Sequence, residues 1–240
     1  MSHLQGQLLL LPNLLGPLPV HHNCLPQSVD TAVSKLDGLI AESESEGRVY
    51  LKRFTIKKAL QQFPIRLLNE HTTDQEVEEL LLPILEGQIW GIVSDAGLPC
   101  IADPGARLVL KARQRGISIN AFAGPSSVVL ALMLSGLSAQ RFSFYGYLPR
   151  KDPQRVQEII NLEKRSISEQ STIVFIEAPY RNKQILETLI KNLRPNTYLC
   201  VAYDLTLPTQ EVITKKIIEW KNLPLVEIDK KPAIYLISAS

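Results

Sequence analysis

Gly91-Ile92-Val93-Ser94-Asp95-Ala96-Gly97-Leu98-Pro99-Cys100-Ile101-Ala102-Asp103-Pro104-Gly105 decides how this chain is read. An apolar strand runs straight into a loop that carries two acids, two prolines and two glycines. Gly97 and Gly105 permit left-handed or crowded backbone. Pro99 and Pro104 fix their own φ and remove an amide donor. Asp95 and Asp103 can tie loop amides through short side-chain bonds. A loop specified this tightly, at the carboxyl end of a strand, is where open α/β sheets hold small molecules.

Outward from that loop, β and α signals alternate. Gln7–Leu11 reads as a first strand buried on both faces, and Pro12-Asn13 opens the loop after it. Apolar spacing over Asp30–Ile40 predicts a helix. Glu42–Gly47 reads as a polar turn, Arg48–Leu51 as a short strand, Thr55–Gln61 as helical and Arg66–Asn69 as a strand. Thr73 precedes Glu76 by three residues, a capping-box spacing that starts a helix over Gln75–Glu86. Gln88–Val93 is the strand feeding the loop. A helix over Ala106–Gln114 and a strand over Ser118–Phe122 follow. Such alternation predicts a largely parallel sheet covered by helices.

The remainder reads differently. Gly124-Pro125-Ser126-Ser127 opens an apolar helix through about Leu134, and a helix start with free N–H groups attracts acceptors. Phe142–Tyr147, Thr172–Ile176, Tyr198–Tyr203 and Pro232–Ser238 read as strands, several suited to mixed pairing. Pro153–Glu163, Asn182–Asn192 and Val212–Trp220 read as helices. Two α/β domains are expected, 1–121 and 122–240, and the cleft between two such domains is a favoured ligand position.

Composition bounds the function. The chain has 240 residues, of which 45% are hydrophobic and 21% charged, enough for a substantial core. A net charge of +2 neither demands nor forbids nucleic acid, because a local patch disappears in the sum. Three scattered cysteines suit a reducing cytoplasm. The apolar run Leu8–Leu11 is too short for a membrane span and lacks the basic flank of a signal peptide. No dinucleotide fingerprint, Walker sequence or nucleophile elbow is present. His21, His22 and Cys24 fit no zinc spacing, so no metal is expected. Arg181 reads either as the partner of Glu177 or as a holder of an anionic substrate. Asp204 reads as a base or as a loop cap. Lys52 and Arg53, in a basic cluster with Arg48, Lys57 and Lys58, read as a phosphate-facing patch or as a solvated helix face.

Three motifs in this order resemble the tetrapyrrole methylase superfamily of S-adenosylmethionine-dependent methyltransferases, over nearly the whole chain. Ser94–Gly105 is similar to the SDAGxPxxSDPG signature of the branch that methylates a cytidine ribose 2′-hydroxyl of small-subunit ribosomal RNA. Gly124–Ser127 resembles its GPS segment, and Glu177–Arg181 its E-(S/A)-P-(Y/H)-R segment.

The resemblance implies a two-domain tetrapyrrole-methylase-like α/β fold, with a mostly parallel sheet in the first domain and a mixed sheet in the second. It implies S-adenosylmethionine bent in the interdomain cleft, usually in a homodimer. The matched donor contacts are Pro12, Asn13, Asp95, Gly97, Leu98, Ser126 and Ser127, with Ile176, Ala202, Pro232 and Ala233 placed by strand order. RNA is the implied substrate, with Arg181, Lys52 and Arg53 as substrate contacts and Asp204 and Glu177 as candidate proton acceptors. Methylation of a tetrapyrrole-like small molecule or a protein, and a donor-binding homologue without catalysis, are the alternatives. Two stretches depart from the branch. Its TPxGNLxD becomes Pro12-Asn13-Leu14-Leu15-Gly16-Pro17, and its R-E-L-T-K becomes Tyr203-Asp204-Leu205-Thr206-Leu207, without the arginine and lysine.

Overall fold

A computed structural model describes residues 6–224 and 226–240. The chain divides into two compact units, Met1–Ser126 and Ser127–Ser240.

In the first unit the strands are β1 (Gln7–Leu10), β2 (Gly38–Ala41), β3 (Ile65–Leu67), β4 (Ile89–Ile92) and β5 (Ser118–Ala121). They form one sheet in the order β3-β2-β4-β1-β5, with every pair parallel. The helices are α1 (Gln27–Val33), α2 (Glu44–Leu51), α3 (Asp74–Leu85) and α4 (Gly105–Gln114).

Alternation along each strand sends successive side chains to opposite faces. Leu9 and Leu39 pack with Val29 and Val33 of α1 and Tyr50 and Leu51 of α2. Leu8, Ile40 and Trp90 pack with Val77 and Leu80 of α3 and Leu108 of α4. Both faces are therefore covered, as an all-parallel sheet requires. From β1 the chain crosses β4 to reach β2, and from β4 it crosses β1 to reach β5. Neighbouring strands whose connections leave in opposite directions mark the topological switch point, where a crevice opens at the carboxyl ends.

The second unit has β6 (Phe142–Tyr147), β7 (Thr172–Glu177), β8 (Tyr198–Tyr203), β9 (Glu211–Lys216) and β10 (Ala233–Ser238), in the order β6-β7-β10-β8-β9. Only β6 and β7 pair parallel; the other pairs are antiparallel. Helices α6 (Gln154–Glu169) and α7 (Asn182–Asn192) bury Ile159, Leu162, Ile185 and Leu189 with Phe175, Val201 and Tyr235 of the sheet. Helix α5 (Ser127–Ser135) lies against β8, β9 and β10, and α8 (Ile217–Trp220) is a single turn. The α/β architecture, a parallel sheet and then a mixed one, is the one the sequence predicts.

Five local expectations need correction. The polar turn expected at Glu42–Gly47 becomes, from Glu44 on, the first half of α2. The helix expected over Asp30–Ile40 ends at Val33, and Gly38–Ala41 is the fully buried strand β2. A Cβ on Gly38 would stand 2.5 Å from the Trp90 ring, so the glycine lets β2 pass that side chain. The strand expected at Arg48–Leu51 is instead the second half of α2, started by Ser43, whose hydroxyl accepts from the Glu46 amide. Of the helix expected over Thr55–Gln61, only one 3-10 turn, Leu60–Gln62, forms. The helix expected over Val212–Trp220 is strand β9 through Lys216 and then the α8 turn; β-branched Val212, Ile213 and Thr214 suit the strand, where Val212 pairs with Ala202.

Candidate functional site

The site in the first unit is built on three loops, which follow β1, β4 and β5. Asn13 binds the first to the second. Its Nδ2 donates to the carbonyls of Ser94 and Asp95, both at 2.9 Å. Its Oδ1 accepts from the Leu14 amide at 2.8 Å and from Arg53 Nη1 at 2.9 Å. Its own amide donates to the Gly97 carbonyl at 2.7 Å. Both donors and both acceptor positions of the side chain are thereby used, and the residue is 6% exposed. The Asn13 amide group holds the loops, and only its main-chain carbonyl remains open to a ligand.

The third loop closes on the same place. A Cβ on Gly124 would lie 2.1 Å from Pro12 Cβ, so only glycine lets the two backbones approach this closely. Gly97 has φ +72°, the left-handed region, and a Cβ there would reach 3.1 Å from Leu15. Pro12, Asn13, Gly97, Leu98 and the Gly124–Ser126 segment are thus brought together, as their shared assignment to one ligand requires. Ser127 follows as the first residue of α5.

The two aspartates of the loop divide their work. Asp103 accepts from the Cys100 amide at 2.8 Å and the Gly105 amide at 2.7 Å, so it shapes the turn into α4. Cys100 and Ala102 both adopt positive φ, at 70° and 61°. Non-glycine residues held there cost energy that the surrounding bonds must offset. Asp95 is exposed, and among the described residues no hydrogen bond or ion pair ties its carboxylate. Partial burial, with Glu46 and Asp103 nearby, raises its pKa. Glu42, at the end of β2, accepts from the Asp95 amide at 3.3 Å. Its pKa is also raised, by burial first and then by the charges of Asp95 and Asp103. An uncommitted carboxylate at the mouth of the crevice suits a ligand that offers hydroxyl or ammonium donors.

Arg53 does not stand with a phosphate-facing patch. Besides bonding Asn13, its guanidinium lies 6.0 Å over the Tyr50 ring, and burial lowers its pKa. It supports the β1 loop from behind. Lys52, beside it, is exposed.

In the second unit the expected residues gather where the three central strands, β7, β10 and β8, come to one end of the sheet. Ala233 pairs with both Glu177 and Tyr203, and Ile234 with both Ile176 and Ala202. Pro232 precedes β10, and its carbonyl accepts from the Asp204 amide at 3.2 Å.

The two candidate proton acceptors differ sharply. The Glu177 side chain is 0% exposed, lies 3.1 Å from Arg181 Nη2 and accepts from the Ala178 amide at 2.8 Å. Burial raises its pKa, offset in part by the Ala178 bond and by Arg181, Arg155 and Arg150. Arg181 also donates to the Pro149 carbonyl at 3.1 Å. This pair braces a turn, and of the two sequence readings of Arg181 the geometry favours the ion pair. Asp204 has φ +51°, and its Oδ2 accepts from Thr209 at 3.0 Å and lies 3.2 Å from Lys231 Nζ. Its Oδ1 takes no hydrogen bond among the described residues. Lys231 lies 4.7 Å over the Tyr203 ring, and the Tyr203 hydroxyl donates to Glu211. The altered Tyr203–Leu207 stretch is therefore an ordered polar cluster.

Sequence reasoning overlooked Asn182. Its Nδ2 donates to the carbonyls of Ile228 and Lys231, and its Oδ1 accepts from the Tyr235 hydroxyl at 3.0 Å. It fixes the approach to Pro232. Its signal was a polar residue directly after the Glu177–Arg181 motif.

His21, His22 and Asp30 lie together, with His21 Nε2 3.0 Å from Asp30 Oδ1. Cys24 is not in that cluster.

Residues 32–220 match the tetrapyrrole (corrin/porphyrin) methylases. Among curated relatives, the ribosomal RNA small subunit methyltransferase I of Pasteurella multocida is 30% identical over 213 residues, 89% of this chain and 71% of that protein. Its Escherichia coli O157:H7 counterpart is 32% identical over 84% of this chain and 66% of its own length. The Thermotoga maritima counterpart is 32% identical over 81% of this chain and 85% of its own length. Among solved structures, diphthine synthase aligns at TM-score 0.67 with 13% identity, covering 97% of this chain and 89% of that one. Cobalt precorrin-4 methyltransferase aligns at 0.61 with 14% identity, covering 99% and 95%. At such identities the likeness speaks for the fold alone.

Proposed function

The chain belongs to the tetrapyrrole (corrin/porphyrin) methylases, and from that premise we propose that it methylates a ribose 2′-hydroxyl of small-subunit ribosomal RNA. The acidic loop carries the reading: Ser94–Gly105 resembles the signature of the ribose-methylating branch, and the relatives just described are named as small-subunit ribosomal RNA methyltransferases.

S-adenosylmethionine supplies an electrophilic methyl group on a sulfonium, and the chain supplies alignment and polarity. In this reading Asp95 takes donor hydrogens of that ligand, while Gly97, Leu98 and the Pro12–Asn13 main chain line its seat. Ser126 leads into α5, whose first turn, from Ser127, presents N–H groups. In the second domain of the proposed 1–121 and 122–240 division, Ile176, Ala202, Pro232 and Ala233 are the further proposed donor contacts. The fit is supported by the uncommitted Asp95 carboxylate and by the close Gly124–Pro12 approach, which keeps the loop mouth free of side chains at that point.

A ribose hydroxyl is a weak nucleophile, and a neighbouring acceptor for its proton speeds attack. Of the two candidates, Asp204 suits this better. Thr209 and Lys231 hold one of its oxygens and leave the other unbonded, whereas the Glu177 side chain is fully buried beside Arg181, where an acceptor ribose cannot reach it. Alignment within reacting distance supplies most of the remaining acceleration.

The protein is further proposed to act as a cytoplasmic homodimer. Three cysteines outside any disulfide suit a reducing compartment. Helix α5 leaves Met133, at 72% exposure, and Leu134 uncovered, which suits a partner surface. No helix among the described residues is long and apolar enough to cross a membrane.

The test is transfer of tritium from labelled S-adenosylmethionine to small ribosomal subunits from cells lacking this protein, followed by nucleoside analysis. Label in 2′-O-methylcytidine is expected. Label on a tetrapyrrole or protein acceptor, or donor binding with no transfer, would overturn the assignment.

A further inference from the structure

Three loops of the second unit meet at the edge that carries Glu177. The loop after β6 holds Pro149, Arg150 and Lys151; the turn after β7 holds Pro179, Tyr180 and Arg181; the approach to β10 holds Lys230. Arg181 Nη2 donates to the Pro149 carbonyl at 3.1 Å, joining the first two. The Lys230 amide donates to the Pro179 carbonyl at 3.3 Å, joining the third. The loops are therefore fixed relative to one another.

What they present outward is unusual for a solvated edge. Tyr180 is 75% exposed. Arg150, Lys151 and Lys230 are exposed, and none forms a close ion pair among the described residues, although Arg150 lies near enough to Glu177 to lower its pKa. Three of the acids nearby are occupied, Glu177 by Arg181, Asp152 by Arg155 at 2.7 Å and Asp204 by Lys231, while Glu227 and Asp229 on the approach to β10 are exposed. Lys230 is held at φ +64°, a conformation a lysine seldom takes and which the Pro179 bond helps to fix.

An exposed aromatic ring among unpaired cations has a chemical match. Cations neutralise phosphates and release counterions, and an aromatic face stacks an unpaired base. We propose that Arg150, Lys151, Tyr180 and Lys230 form the surface that grips the RNA substrate, with the cations on the phosphate backbone and Tyr180 stacked on a splayed base. This rests on the RNA reading of the function and moves the grip away from Lys52 and Arg53. The surface borders the strand ends at Ala233 and Glu177.

The test uses the full chain and a fluorescein-labelled transcript of small-subunit ribosomal RNA, with affinity measured by anisotropy over a range of salt. Calorimetric binding of S-adenosylhomocysteine and the melting temperature serve as controls. Arg150→Ala with Lys151→Ala removes two phosphate contacts. The slope of log affinity against log salt should become shallower by about 1.4–1.8. Tyr180→Ala should weaken RNA binding about fivefold or more with the slope unchanged, and Tyr180→Phe should restore it. Affinity for S-adenosylhomocysteine should stay as in the unmodified protein throughout. RNA affinity within twofold of the unmodified protein in both variants, while that protein binds and methylates the transcript, overturns this surface alone. An unmodified protein that binds S-adenosylhomocysteine but neither binds nor methylates the RNA overturns the functional reading, and this surface with it.

Discussion

Replacing Asn13 by alanine removes four side-chain bonds: two that tie the β1 loop to the β4 loop, one within the β1 loop and one to Arg53. Two of the abandoned partners, the Leu14 amide and the Ser94 carbonyl, belong to residues 3% and 6% exposed. Water cannot readily replace the lost bonds there, and each stranded buried group costs about 1–3 kcal/mol. The Asp95 carbonyl and the Arg53 guanidinium reach solvent more easily and add little. The expected loss is therefore about 2–6 kcal/mol, a large part of the roughly 5–15 kcal/mol by which domains are stable. Urea unfolding followed by circular dichroism measures it, and calorimetry with S-adenosylhomocysteine should show donor affinity falling in parallel. Asn13→Asp separates the contributions. It keeps both acceptor roles but loses the donors to two carbonyls, so it should be less destabilising below its carboxyl pKa, where one donor returns, than at neutral pH. An alanine variant within about 0.5 kcal/mol of the unmodified protein, binding ligand normally, would refute the clamp.

Further outcomes follow from the same geometry. Gly124→Ala forces a Cβ into the rigid Pro12 ring and should cost at least the roughly 1–3 kcal/mol typical of overpacking, read as a lower unfolding midpoint; an unchanged midpoint would mean the loops are free to part. Arg181→Ala strands the buried Glu177 carboxylate and should cost about 3–5 kcal/mol. Glu177→Gln with Arg181→Met should recover much of that loss in the same assay, and equal losses would deny the pairing. Lys52→Glu should leave stability within about 0.5 kcal/mol, whereas Arg53→Glu should lower stability and donor affinity together; loss of RNA affinity alone in Arg53→Glu would restore it to the substrate surface. Because burial and neighbouring acids raise the Glu42 pKa, its neutral form favours the folded state. That stabilisation is full below the unfolded-state pKa and disappears as pH rises through the folded value. Glu42→Gln should therefore raise the melting temperature at neutral pH and make little difference in acid; a uniform shift across pH would contradict the electrostatic origin.

The alternation of strands and helices was legible wherever an element carried its own boundary signal. The Thr73–Glu76 capping box is an example: Thr73 accepts from the Glu76 amide, and Glu76 accepts from the Thr73 amide. The β4 loop was legible too, because prolines, glycines and aspartates write their conformation locally. The failures were places where a tertiary neighbour decided the outcome. Leu39 and Ile40 fit a helical stripe as well as a strand, and a slot between β4 and β3 took them into the sheet. Val212–Lys216 likewise satisfied a helical pattern, but its pairing with β8 prevailed.

The site shows the same division. Asp95 and Gly97 announce themselves in sequence. The clamp role of Asn13 depends on partners some eighty residues away, and that of Arg53 on one forty residues away. Glu177 and Arg181 carry the same letters whether they brace a turn or do chemistry, and only burial separates the two.

The loops after β1, β4 and β5 are proposed to hold the methyl donor. Hydrogen–deuterium exchange with and without saturating S-adenosylhomocysteine tests that placement most directly. Slowed exchange confined mainly to residues 12–15, 94–105 and 123–128, with the strand ends near 176, 202 and 233, is the predicted result. Tight binding that leaves 94–105 unprotected would contradict it.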